Sequence, residues 1–354
     1  MNTKHQLLTR LKFILKHLKK LLEPKYIVPE NKFSTQNIGI IKRLNSFNPV
    51  NPFLKKEEFI KKIIEIFGIQ VKYPIILNNK VKGIINFNSK LKNNSIMYDE
   101  SYFISYDNIK IPVFILYPPN FNEKRKYPCI LLFSGHGSAA QAAFEKASYQ
   151  NACGSYLSKN GYIVYIMENR GMGTLSYLGN HLRIDAVARL TGGTWYGEII
   201  TDALWLIENL QHESHIDVSR IATAGVSTGG AISMIVSSLD DRISATYIQG
   251  FLGSYKTTFG TRGIHCLCGH IPGILKIGDM SDIASLIAPR PVMFVNGTKD
   301  SFYADDAKSA FLKIFEAYKN LGSEENCKFL APEGVAHEFS VDLAIQWFNR
   351  QLKL

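Results

Sequence analysis

Arg220-Ile221-Ala222-Thr223-Ala224-Gly225-Val226-Ser227-Thr228-Gly229-Gly230-Ala231-Ile232-Ser233-Met234-Ile235-Val236 reads as strand, tight turn and helix in immediate succession. The first five residues form an apolar β-type run, and Ala231 to Val236 has helix-forming character. Between them lies a G-x-S-x-G turn, Gly225 to Gly229. In that setting the turn is an elbow that lifts one serine hydroxyl clear of a sheet. Its glycines let the backbone pass close to neighbouring elements where a Cβ would clash. The helix that follows aims its N-terminal N–H groups at the serine, so negative charge developing there is stabilised. Ser227 is therefore predicted to be a nucleophile.

A serine hydroxyl attacks poorly unless a base takes its proton and a carboxylate steadies that base. Elbow enzymes carry these partners downstream in the order acid, then histidine. Pro291-Val292-Met293-Phe294-Val295-Asn296 is a second β-type run, closed by Gly297-Thr298-Lys299-Asp300. An Asp just past a strand lies on the face where α/β sheets build their sites. Lys328-Phe329-Leu330-Ala331 reads as the last strand, and the loop after it carries His337. Asp305 and Asp306 stand nearer the next helix (Ala307 to Leu321) and are expected to cap it, which leaves Asp300 free for the triad. His181, His212 and His215 follow no strand and offer weaker candidates. The expected catalytic set is Ser227, Asp300 and His337.

An oxyanion needs two N–H donors. One is expected from Thr228, after the nucleophile; the other from the loop Ser134-Gly135-His136-Gly137-Ser138, which follows the strand Pro128 to Phe133. The His136 amide is the first choice there and Gly137 the second. The His136 side chain has no assigned role.

With these residues in hand, the sequence resembles the α/β-hydrolase superfamily, in its acetyl xylan esterase-like, dienelactone hydrolase-like and prolyl oligopeptidase-like branch. Glu168-Asn169-Arg170-Gly171-Met172-Gly173 after a strand, Ile199 to Leu210 as the helix before the elbow strand, Ile287-Ala288-Pro289-Arg290-Pro291 and Asn296 to Asp300 also carry the likeness, over about residues 100 to 354. Two positions depart from the group's habit: Ser134 where a His is common, and Asn169 where an Asp is. The resemblance implies a mainly parallel sheet flanked by helices, no cofactor, and acyl transfer to water through an acyl-enzyme. Hydrolysis of a small acyl ester is the first expectation. A short-peptide peptidase, an acyltransferase or a silent binding module are the alternatives, since a triad alone does not choose among acyl substrates.

The composition fits. At 354 residues and 46% hydrophobic, the chain can bury a large core. Strands alternating with helix-length segments argue for a parallel sheet covered on both faces. Residues 96–354 are expected to form the catalytic domain and 1–95 a helical extension. Within that extension Leu7, Leu8, Leu11, Ile14, Leu15, Leu18, Leu21 and Leu22 fall at helical spacing among lysines. That pattern suits a helix on an anionic membrane surface, or, as the ordinary case, a helix packed on the enzyme. A second helix is expected from Lys55 to Phe67.

A net charge of +11 invites nucleic-acid binding, but the basic residues are dispersed and no recognition motif accompanies them. No apolar run approaches a membrane span, and lysines interrupt any signal-peptide core, so a cytoplasmic enzyme acting on a small-molecule ester is expected. Five cysteines do not suggest a disulfide framework; Cys129 and Cys153 read as core. His265-Cys266-Leu267-Cys268-Gly269-His270 offers four possible zinc ligands within six residues. That spacing makes a cramped cage, so the segment is expected to shape a pocket wall without metal. The other wall is expected from a loop, Thr174 to Trp195, with Tyr177, Trp195, Tyr196 and Phe251 as candidate lining.

Overall fold

The run around Ser227 sits at the centre of the sheet in the computed structural model, which describes residues 55–70, 85–86, 91–93, 96–262 and 265–352. These belong to a single compact unit spanning 48–354. The leucine-rich segment Leu7 to Leu22, and most of the extension expected over 1–95, lie outside the described residues.

Four strands come first: β1 (Ile85–Asn86), β2 (Leu91–Asn93), β3 (Ile96–Ile104) and β4 (Lys110–Tyr117). Six follow: β5 (Tyr127–Phe133), β6 (Ile163–Met167), β7 (Ile216–Val226), β8 (Ile243–Gln249), β9 (Val292–Val295) and β10 (Cys327–Leu330). They form one sheet in the order β1-β3-β4-β6-β5-β7-β8-β9-β10, with β2 on β3. The first four pair antiparallel, and β4 runs antiparallel to β6. From β6 to β10 every pairing is parallel. The mainly parallel sheet inferred from the sequence is thus present.

The parallel strands β5, β6 and β8 are buried almost throughout because both faces are covered. Alternate residues of β5 show how. Cys129, Leu131 and Phe133 join one apolar cluster, while Ile130 and Leu132 join the other. Cβ atoms alternate across a strand, so a continuous apolar run feeds two cores at once.

Nine helices are described: α1 (Lys56–Phe67), α2 (Ala139–Phe144), α3 (Cys153–Lys159), α4 (His181–Leu190), α5 (Trp195–Leu210), α6 (Thr228–Leu239), α7 (Met280–Ser285), α8 (Ala304–Asn320) and α9 (Val341–Gln351). Helices α2, α3 and α9 cover one face; α1, α5, α6, α7 and α8 cover the other. Helix α1 matches its expected span, and Phe59, Ile63 and Phe67, each four residues apart, enter the second core. Thr194 donates its hydroxyl hydrogen to the Phe67 carbonyl at 2.9 Å, tying α1 to the start of α5.

Three expectations need correction. Helix α5 begins at Trp195 rather than Ile199, because Thr194 caps it by accepting from Gly197 N–H at 3.0 Å. The stretch Thr174 to Trp195 is no simple loop, since it contains a 3-10 turn (Gly173–Leu178) and α4. Asp305 and Asp306 do not cap α8: Tyr303 stands at that position, and the two carboxylates lie inside the first turn, where they still meet the positive end of the helix dipole. Among the described residues no helix is long and apolar enough to cross a membrane.

Candidate active site

Ser227 has φ 60° and ψ −128°, a conformation that an L residue adopts only when its surroundings impose it. The surroundings are severe. A Cβ on Gly225 would lie 2.2 Å from the Gly229 carbonyl carbon, and one on Gly229 would lie 2.0 Å from the Phe133 carbonyl oxygen. Only glycines allow β7, the turn and α6 to cross this closely. The Ser227 N–H donates to the Gln249 carbonyl at 2.9 Å, which anchors the elbow to β8. Thr228 is the first residue of α6, so its own N–H has no acceptor within the helix.

Asp300 follows β9 by five residues, and its side chain is buried. One carboxylate oxygen accepts from His337 Nδ1 at 2.8 Å and from the Phe302 N–H at 2.8 Å. The His337 ring lies nearly parallel to those of Tyr149 (5.7 Å between centroids, 19° between planes) and Phe302 (6.0 Å, 15°). Gly250, at φ 60°, passes beneath: a Cβ there would be 2.9 Å from the second Asp300 oxygen and 3.1 Å from the imidazole.

Ser227 and His337 face one cavity of about 150 Å³. Tyr196, Phe251, Phe259 and Phe302 give it an aromatic lining. Of the aromatic residues expected there, Tyr196 and Phe251 are in place. Tyr177 is 72% exposed and Trp195 is fully buried, packed against the His136 and His181 rings. Tyr149 was not foreseen at all. Its hydroxyl meets Ser227 and, at 3.4 Å, the His136 carbonyl. Burial pushes that hydroxyl up to about 12, with the Ser227 hydrogen bond acting in the opposite direction.

The loop after β5 is held from several sides. Gly135 N–H donates to Gln150 Oε1 at 2.9 Å, and Ser138 begins α2 with a capping box closed by Gln141. Glu168 accepts from the Ala139 N–H at 3.0 Å. The two positions that depart from the family's habit turn out to be partners: Asn169 Nδ2 donates to Ser134 O at 3.0 Å and to Ser134 Oγ at 3.2 Å. Next to them Arg170 is buried among Asp202 (2.7 Å), Asp107 (2.6 Å) and Glu198 (3.2 Å), so its charge is fully compensated.

The single cage considered over His265 to His270 does not form. His265 packs on Phe302 with ring centroids 4.0 Å apart, and His270 Nε2 lies 3.1 Å from the Phe259 carbonyl oxygen. Instead Cys266 and Cys268 meet His136 from the β5 loop and His181 from α4. One ligand atom from each lies within 4.8 Å of all the others. His181 Nε2 is 3.2 Å from Cys266 Sγ, and His136 Nε2 is 3.3 Å from Cys268 Sγ. The thiols act as a pair: the hydrogen bond from Cys268, against the cost of burial, holds Cys266 well below an ordinary thiol, and the same bond with burial drives Cys268 well above it. Nothing local in the sequence links these four residues, which come from three separate segments.

A parallel sheet with a serine elbow at its carboxyl edge defines an α/β-hydrolase. Solved structures share that fold. A protein from Bacteroides fragilis NCTC 9343, provisionally named an acetyl xylan esterase, superposes with a TM-score of 0.71 at 17% identity, covering 88% of this chain and 94% of its own. Acetyl Xylan Esterase 1 from Thermoanaerobacterium sp. JW/SL YS485 gives 0.58 at 18% identity, over 88% and 98%. In sequence, the provisionally named hydrolase YtaP of Bacillus subtilis (strain 168) is 27% identical over 201 residues, 54% of this chain and 66% of YtaP. A dipeptidyl-aminopeptidase B of Botryotinia fuckeliana, so named as probable, is 25% identical over 249 residues, with only 25% of its length spanned. The acetyl xylan esterase (AXE1) family model matches residues 82–261. The chain belongs to that family, a family of carboxylic ester hydrolases. The match takes in the β5 loop and the elbow and stops before Asp300 and His337.

Proposed function

We propose that the protein hydrolyses small acyl esters, acetyl esters foremost, through Ser227, His337 and Asp300. The observation that carries this is Ser227, held at φ 60° on the elbow, facing the same cavity as a histidine bonded to a buried carboxylate at 2.8 Å. His337 takes the Ser227 proton as the hydroxyl oxygen attacks the acyl carbon, and Asp300 keeps the imidazole in the tautomer that can accept it. The tetrahedral oxyanion is met by the Thr228 N–H and an amide of the β5 loop. Gly135 is already committed to Gln150, which favours His136, then Gly137. Collapse expels the alcohol, protonated by His337. Water then attacks the acyl-enzyme with His337 again as base, releasing the acid and restoring Ser227. The small aromatic cavity favours an acetyl-sized acyl group over a peptide chain. We assign this chemistry to a catalytic domain over 96–354.

Intact-mass analysis after exposure to a fluorophosphonate tests the proposal, together with aryl acetate, butyrate and octanoate turnover. One adduct on the wild type, none on Ser227→Ala, and rates falling with acyl length are expected. A folded wild type that takes up no probe and turns over no ester would refute it.

A further inference from the structure

The four donors beside the elbow have no part in the serine chemistry above, yet they converge as a built site. We infer that His136 Nε2, His181 Nε2, Cys266 Sγ and Cys268 Sγ hold one zinc-class divalent cation against the wall of the serine cavity. Two thiolates and two imidazoles form a donor set suited to tetrahedral zinc. With Zn–S of about 2.3 Å and Zn–N of about 2.0 Å, a tetrahedral site needs N···S edges of about 3.5 Å. Two cross-pairs stand at 3.2 and 3.3 Å and every edge of the set lies within 4.8 Å, so binding needs shifts of about 1 Å or less in atoms already gathered at one place.

The surroundings are those of a supported site. A ligating imidazole normally commits its other nitrogen to a hydrogen bond that sets its tautomer. His136 Nδ1 does so, 3.0 Å from Thr228 Oγ1, which leaves Nε2 to face the sulfurs. Trp195 packs against both imidazoles and supplies an apolar floor. Arg189, on the same helix as His181, donates to the carbonyls of Leu267 (3.3 Å) and His270 (2.7 Å) and pairs with Asp185 at 2.6 Å. It thereby holds the Cys loop against α4. The cation brings two positive charges to the two sulfurs, and the protons the thiols carry leave to solvent on binding.

Four protein ligands close the coordination shell, so the cation holds structure rather than carrying a reactive water. Three segments are clamped together: the loop after β5, helix α4, and the turn at 266–268. The first supplies the proposed oxyanion amide. The last lines the cavity through Cys266 and Cys268. His136 is therefore a positioning residue through its side chain. The consequence for catalysis rests on the proposed serine mechanism; the cation site itself does not.

The full-length chain, purified on a tag without histidines and without chelator, is assayed by plasma mass spectrometry for metals. About one zinc per chain is expected, falling to background in Cys266→Ser/Cys268→Ser and retained in His270→Asn and in Ser227→Ala. Cobalt exchanged into the site should give thiolate-to-metal charge-transfer absorption and the intense d–d bands of a four-coordinate ion. Thr228→Val, which removes the partner of His136 Nδ1, should weaken zinc by about 10–100-fold. Wild type free of metal that takes up neither zinc nor cobalt, or zinc that survives in the folded double variant, overturns the inference. Two thiols lost together in a metal-free protein would show a Cys266–Cys268 disulfide and overturn it equally. Ser227→Ala separates the two proposals, since it should lose the fluorophosphonate adduct and keep its zinc.

Discussion

Two groups of side chains meet at this cavity, and they are assembled in opposite ways. Ser227, Asp300 and His337 each follow a parallel strand, so the sheet delivers the segments that carry them to one edge. His136, His181, Cys266 and Cys268 come from a loop, a helix and a turn, and their meeting depends on how those segments pack on one another. A sheet edge can be inferred from chain order because strands repeat with one hand and one direction. A junction of three segments has no such rule.

The sharpest way to break that comparison is Asp300→Asn. If the edge is rigid, the change should leave the backbone in place and lower kcat by about 10⁴-fold through the wrong imidazole tautomer. A loss below tenfold with intact circular dichroism would remove Asp300 from the proposed triad. Gly250→Ala comes next. Its methyl would stand 2.9 Å from Asp300 and 3.1 Å from His337, at a φ of 60°. A displacement of the pair on the order of 1 Å should cost about 10²-fold in kcat/KM, while zinc content stays unchanged. Equal losses of activity and zinc would mean that the two groups are mechanically one. Tyr149→Phe should have the smallest effect. Removing one hydrogen bond to Ser227 is worth about 0.5–1.5 kcal/mol, a change in kcat of roughly two- to tenfold. An effect far above that range would give the hydroxyl a part in the chemistry itself.

The same contrast explains what could be foreseen. The sheet, its direction and the two-sided core were legible, because strands such as Cys129 to Phe133 are apolar at every position and are separated by helix-length segments. Ser227, Asp300 and His337 were found as candidates from strand ends and chain order alone, and they face one cavity or bond to one another. The residues that were missed lie where long-range packing decides. The loop was expected to run on to Trp195 and the helix to begin at Ile199, whereas Thr194 caps a helix that starts at Trp195. Asp305 and Asp306 resembled caps, but the helix is capped at Tyr303, two residues before the first of them. Tyr149 sits between α2 and α3, with no motif around it to mark its reach to Ser227. The segment His265 to His270 was weighed as a cage by itself and expected to hold no metal, but its two cysteines meet histidines from elsewhere. His265 and His270 are neighbours in sequence, whereas His136 and His181 are neighbours only in space.

The His337 ring has two nearly parallel neighbours, at 19° and 15°, and is tethered through Nδ1 to Asp300 at 2.8 Å. A ring held by one nitrogen can still swing about that tether. In the proposed reaction the imidazole carries a proton from Ser227 to the departing alcohol, a short movement of Nε2. The tether fixes the nitrogen that must stay and frees the one that must travel.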